Sequence, residues 1–127
     1  TLIELMMVIV VIVILVGIIL SALYGAGKIA RERQRSLARM TLASAIVNYK
    51  SNYYKWPMPG LGPGTYSNNN FHVVQMLTAP PDPVLLLKTG NYKQTANGSL
   101  MDPFGRCYVI RLDGTNAYVD GKSVTDY

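Results

Sequence analysis

The chain of 127 residues has one cysteine and one histidine. One cysteine excludes an intrachain disulfide. With one histidine beside it, a zinc site of the usual kind, which takes about four protein ligands, is not expected. Charge is also scarce: 15% of the residues are charged, against about 25% in an ordinary soluble domain. Part of the chain is therefore not built to face water. Proline is absent before Pro57, so nothing interrupts a helix over the first 56 positions. No nucleophile–base pair, metal cluster or phosphate-binding loop is present, and an enzyme is not expected. The half of the residues that are hydrophobic excludes disorder for most of the chain.

The apolar residues are concentrated at the start. Leu5 to Gly27 is uncharged over 23 residues, and about 20 suffice for a helix to span a bilayer. The run is too long for a buried strand despite the β-branched cluster Val8–Ile14. A signal peptide would carry basic residues before the run and a small-residue cleavage site after it; nothing basic precedes Leu5, and helix continues beyond Gly27. The chain begins at Thr1 without methionine, which reads as processing or trimming.

The net charge of +5 is local: residues 28–55 hold seven of the twelve basic side chains and a single acid, Glu32. Lys28, Arg31, Arg33, Arg35 and Arg39 read as a solvated face or an anionic-lipid contact. No base-reading motif accompanies them, so specific nucleic-acid binding is not expected. As the chain stands, this cluster would place the C-terminal part in the cytoplasm by the positive-inside rule.

Beyond Lys28 the helix becomes amphipathic. Ala38, Leu42, Ala45, Ile46, Tyr49 and Tyr53 recur at three- and four-residue steps. Trp56 precedes Pro57 and should be extended, so the helix ends near Tyr54. At 1.5 Å per residue that is a rod of about 80 Å, whose first half must be covered by lipid or by other copies.

Three segments follow from this: an apolar helix over 1–27, its amphipathic continuation over 28–55, and a small head over 56–127. Within the head, Pro57–Asn70 reads as a loop and Asn70 as the cap of a helix from Phe71 to Thr78. Val84–Leu87 is a short apolar run, and Asn91–Ser99 a polar loop. Tyr108–Leu112 and Ala117–Val119 read as strands joined by the turn at Asp113-Gly114; Asp120-Gly121 makes a second turn before Lys122–Thr125. The expected fold is α+β: a long N-terminal helix with an antiparallel sheet of about three strands packed on the Leu42, Ile46, Tyr49 stripe.

Thr1-Leu2-Ile3-Glu4-Leu5-Met6 before an unbroken apolar helix resembles the mature N-terminus of type IV pilins and pseudopilins. Asp102-Pro103-Phe104-Gly105-Arg106-Cys107-Tyr108 looks like the Asp-Pro-Trp-Gly-x-x-Tyr segment of major type II secretion pseudopilins, with Phe104 in place of tryptophan. The resemblance implies a non-enzymatic subunit that waits in the inner membrane and then polymerises into a helical homopolymer. That filament is a periplasmic pseudopilus serving protein transport, or a cell-surface pilus serving roles such as cell adhesion. It also implies an N-methylated residue directly before Thr1, and a basic leader cut off by a prepilin peptidase before assembly machinery takes the subunit. Removal of that leader would put the head outside. The runner-up is a monomeric single-pass anchored domain that binds a ligand or partner.

The candidate assembly residues are Glu4, Thr1 and Leu5. Glu4 has a bland reading as an acid near a helix N-terminus, favoured by the helix dipole. The resemblance instead gives it a role in subunit pairing, through a neighbour's N-terminal amine. Gly17, Gly25 and Gly27 are candidate helix breaks; they mark either close helix packing or a stretch that unwinds on assembly. No cofactor is expected, although Asp113, Asn116 and Asp120 offer oxygens to Ca2+. Their plainer reading is as turn residues.

Overall fold

A computed structural model describes residues 1–78 and 87–127. The apolar run Val84–Leu87 expected above lies outside the described residues except for Leu87, which is buried. Helix α1 runs unbroken from Leu2 to Tyr53. It carries no proline, an acid in its first turn (Glu4) and a base in its last (Lys50), as the helix dipole favours. Two compact units divide within it, Thr1–Arg33 and Gln34–Tyr127.

The helix ends at an unusual cap. Tyr54 follows at φ +55°, in the left-handed region usually given to glycine, and donates its N–H to the Lys50 carbonyl at 2.8 Å. Its side chain is 93% exposed, so packing does not compensate the backbone. Tyr54→Gly is expected to stabilise the chain by about 0.5–1 kcal/mol in urea unfolding, since glycine takes this conformation freely.

The second unit is built on the C-terminal part of α1. Strand β1 (Gly64–Tyr66), helix α2 (Phe71–Thr78), β2 (Lys93–Gln94), β3 (Leu100–Met101), β4 (Ile110–Leu112), β5 (Ala117–Val119) and β6 (Lys122–Ser123) follow, with single 3-10 turns at Thr89–Asn91 and Val124–Asp126. The main sheet is antiparallel in the order β1-β4-β5-β6, and β2 pairs with β3 separately. An α+β layout of one long helix and a small antiparallel sheet is thus observed, and it is compatible with a pilin-like fold.

Three expectations need correction. The Pro57–Asn70 segment contains β1, because Gly64, Thr65 and Tyr66 pair with Leu112, Arg111 and Ile110; the sheet has four strands. The polar loop Asn91–Ser99 contains β2, which pairs with β3. The strand read over Tyr108–Leu112 starts at Ile110. Tyr108 gives its N–H to Leu100, and Val109 gives its N–H to the Asp120 carboxylate, so neither is in the β4 ladder.

The core lies between α1 and the sheet. Leu42, Ala43, Ala45, Ile46 and Tyr49 on one helix face cluster with Ile110, Leu112, Ala117 and Val119 from alternate strand positions. Val73, Val74 and Leu77 of α2 close the side. Leu42 is fully buried, so Leu42→Ala is expected to cost about 2–5 kcal/mol in urea unfolding. A loss under about 1 kcal/mol would show that the stripe is not core.

Tyr108 sits in the same cluster. Burial, then the nearby Asp102 carboxylate, Tyr92 and Asp120, push its phenol from the ordinary 10.0 up to about 12. An unfolded tyrosine ionises near 10.0 and the folded one near 12, so stability falls as pH rises through that window. Alkaline titration followed by tyrosinate absorbance and circular dichroism should show late ionisation coinciding with loss of structure.

Candidate assembly surface

Backbone hydrogen bonding inside a helix leaves only side chains to meet the surroundings. On the first half of α1 those side chains are apolar and uncovered. Leu2, Ile3 and the large apolar residues from Leu5 to Leu23 are each roughly half exposed or more. A surface patch on a monomer rarely exceeds a few hundred Å2 of contiguous apolar area, and larger ones mark a protein or membrane contact. Among the described residues, α1 is the one helix long and apolar enough to cross a membrane, and it is a candidate anchor.

The helix passes through Gly17, Gly25 and Gly27 without a break, and a Cβ added at any of them would meet nothing within 4 Å. No close approach inside the chain demands glycine there. Leu5 donates its backbone N–H to the Thr1 carbonyl, closing the first turn. The Thr1 backbone nitrogen lies 3.1 Å from Glu4 Oε2, with both side chains more than four-fifths exposed.

The basic row divides. Arg35 and Arg39 are not part of a free solvated face. Arg39 Nε donates to Asp120 Oδ2 at 2.7 Å. Arg35 Nε lies 3.1 Å from Asp102 Oδ2, an ionic contact without hydrogen-bond alignment. Asp102 is buried, and its other oxygen accepts the N–H groups of Phe104 and Arg106 at 2.9 and 2.8 Å. Gly105 at φ +85° lets the chain reverse within that turn. The Asp-Pro-Phe-Gly segment therefore ties the loop before β4 to α1, with the Arg35 guanidinium 6.0 Å from the Phe104 ring centroid. Tyr92 adds a bond to the Ala38 carbonyl at 3.0 Å.

Asn70 was expected to cap α2. Its backbone carbonyl does accept from Val73 and Val74, but the buried carboxamide is used elsewhere. It donates to Leu100 O and Tyr108 O at 3.1 and 2.9 Å and accepts from Leu100 N at 2.8 Å. One side chain thereby joins β3 to the segment entering β4. A loop asparagine carries no sequence signal for such a role.

Asp113 and Asn116 share the β4–β5 turn, whereas Asp120 lies in the β5–β6 turn beyond the other end of β5. Asp113 Oδ1 accepts the N–H groups of Thr115 and Asn116 at 3.1 and 2.6 Å, and these bonds, led by Asn116, hold its carboxyl below the ordinary carboxylate range. Asp120, at φ +50°, accepts from Arg39 and from Val109 N–H. Both carboxylates are engaged in turn and latch, and no group of three or more His, Cys, Asp or Glu placed to hold a metal occurs among the described residues. No protein-family model, curated protein or solved structure matches the chain.

Proposed function

We propose that the chain is the structural subunit of a helical filament, either a type IV pilus or a type II secretion pseudopilus. Its role is mechanical and not catalytic. The observation that carries the reading is the stretch Leu5–Gly27 of α1, uncharged and exposed throughout, introduced by Glu4 and prolonged without a break into a helix on which a folded unit is built. Such a surface is satisfied by lipid before assembly and by the same helix of other copies afterwards. Moving from lipid to a bundle of apolar helices exchanges one dry environment for another, so assembly need not expose the helix to water. The subunit waits in the inner membrane, processed by a prepilin peptidase, and the filament then extends into the periplasm or beyond the cell. The second reading, a monomeric anchored domain, uses the same helix only in lipid.

Mild shearing of cells that express the protein, followed by sedimentation and electron microscopy, separates the two. The filament reading expects this chain as the main protein of sedimenting fibres. Complete recovery as a detergent-soluble monomer, with no fibres under secretion or surface conditions, would favour the anchored domain.

A further inference from the structure

A cleft of about 360 Å3 opens between α2 and the β2–β3 hairpin. Phe71, Gln75 and Thr78 line it from α2, Thr89 from the 3-10 turn, and Gln94 and Asn97 from the hairpin. The volume is in the range of small-molecule sites. The chemistry of the lining is specific in what it omits: no charged side chain lines it among the described residues. Among the described residues, a phosphate, a carboxylate or a metal cation would find no countercharge there.

What lines it are carboxamides, hydroxyls, one aromatic ring and the aliphatic Val74. Gln94 gives one amide proton to the Thr89 carbonyl at 3.2 Å, which leaves its other proton and its Oε1. The Thr78 hydroxyl donates back to Val74 at 3.0 Å and retains acceptor capacity. Gln75 is exposed and supplies both a donor and an acceptor. Phe71 is stacked on His72, with centroids 3.9 Å apart, and this limits the freedom of its ring.

The far wall is also ordered. Thr95 N–H bonds to Ser99 O at 2.9 Å, Gly98 N–H to Thr95 O at 3.0 Å, and Ser99 N–H to the Thr95 hydroxyl at 3.0 Å. Gly98, at φ +87°, makes that turn possible and sets it against Phe71. A wall held this way loses little freedom when a ligand binds.

From this lining we infer that the cleft is a binding site for a neutral, hydroxyl-rich ligand: an uncharged sugar, free or at the end of a glycan. Amide and hydroxyl groups match the alternating donors and acceptors of a sugar ring, and the phenylalanine meets its C–H face. The site stands independently of the filament reading.

The test uses the full chain in a zwitterionic, sugar-free detergent, observed by two-dimensional amide NMR. Glucose, galactose and N-acetylglucosamine are titrated singly, dextran serves as the polymer arm, and N-acetylneuraminic acid as the anionic control. At least one neutral sugar should give saturable shifts at Asn97, Gly98 and the Gln75 and Gln94 side chains by about 50 mM, where a weak millimolar site is filled. Shifts with monosaccharides assign the site to free sugar, and shifts with dextran alone assign it to a polymer. Gln75→Ala with Gln94→Ala should weaken binding about tenfold or more while the remaining spectrum is unchanged. No saturable shift with any neutral sugar overturns the proposal, as does equal binding of the anionic one. Full affinity in the double variant overturns the assignment of these residues.

Discussion

Asp102→Ala is expected to cost about 3–5 kcal/mol of unfolding free energy, a large part of the roughly 5–15 kcal/mol that holds a domain together. The carboxylate is buried and does three things at once. It faces the Arg35 guanidinium at 3.1 Å, and its other oxygen receives the N–H groups of Phe104 and Arg106. Alanine leaves a largely buried cation without its counterion and two turn amides without an acceptor. Asp102→Asn keeps one oxygen for the amides and loses only the charge, so its cost should be smaller. Pairing Asp102→Ala with Arg35→Met should recover part of the loss, because the stranded charge is then gone. Urea unfolding of the four chains measures each step. An Asp102→Ala loss below about 1 kcal/mol would mean that the loop is held by its backbone alone.

On the proposed filament reading, Glu4→Gln is expected to leave membrane insertion intact and to cut the yield of filaments steeply. In the isolated chain Glu4 is exposed. Inside a bundle of apolar helices an uncompensated carboxylate costs several kcal/mol, and the groups able to neutralise it at that depth are N-terminal amines. The nearest cationic side chain along the helix is Lys28, about 36 Å away at 1.5 Å per residue. If a neighbour's amine approaches to about 4 Å at an effective dielectric of 20, the attraction is about 4 kcal/mol, roughly a thousandfold in affinity. That is sufficient to select the axial register of an incoming subunit. Glu4→Asp should be intermediate, because its carboxylate reaches less far. Normal yields of Glu4→Gln filaments with unchanged helical rise would remove Glu4 from assembly.

The helix and its core face were legible because each rests on a local pattern. An uncharged run of membrane length and a three-four stripe need no knowledge of partners. The β4–β5 and β5–β6 turns were legible through their Asp-Gly pairs. Strands β1, β2 and β3 were not, since each is two or three residues long and set in loop-like composition. They exist because of what they pair with. The same limit hid the latches. Arg35 and Arg39 look like part of a solvated row until Asp102 and Asp120 are brought to them, and Arg39 reaches a partner 81 positions away. Asn70 reads as a cap, and only folding reveals the two carbonyls and one amide that it serves.

The wide sequence separation of these ties bears on how the protein is made. The stripe at Leu42 and Ile46 is covered by β4 and β5, and the outer latch closes only with Asp120. At about 5–20 residues per second, the ribosome takes roughly 4–16 s to travel from Leu42 to Asp120. Throughout that interval the apolar face of α1 has no sheet to rest on. Until β4 and β5 have followed, a newly made chain carries that apolar face uncovered by its own sheet.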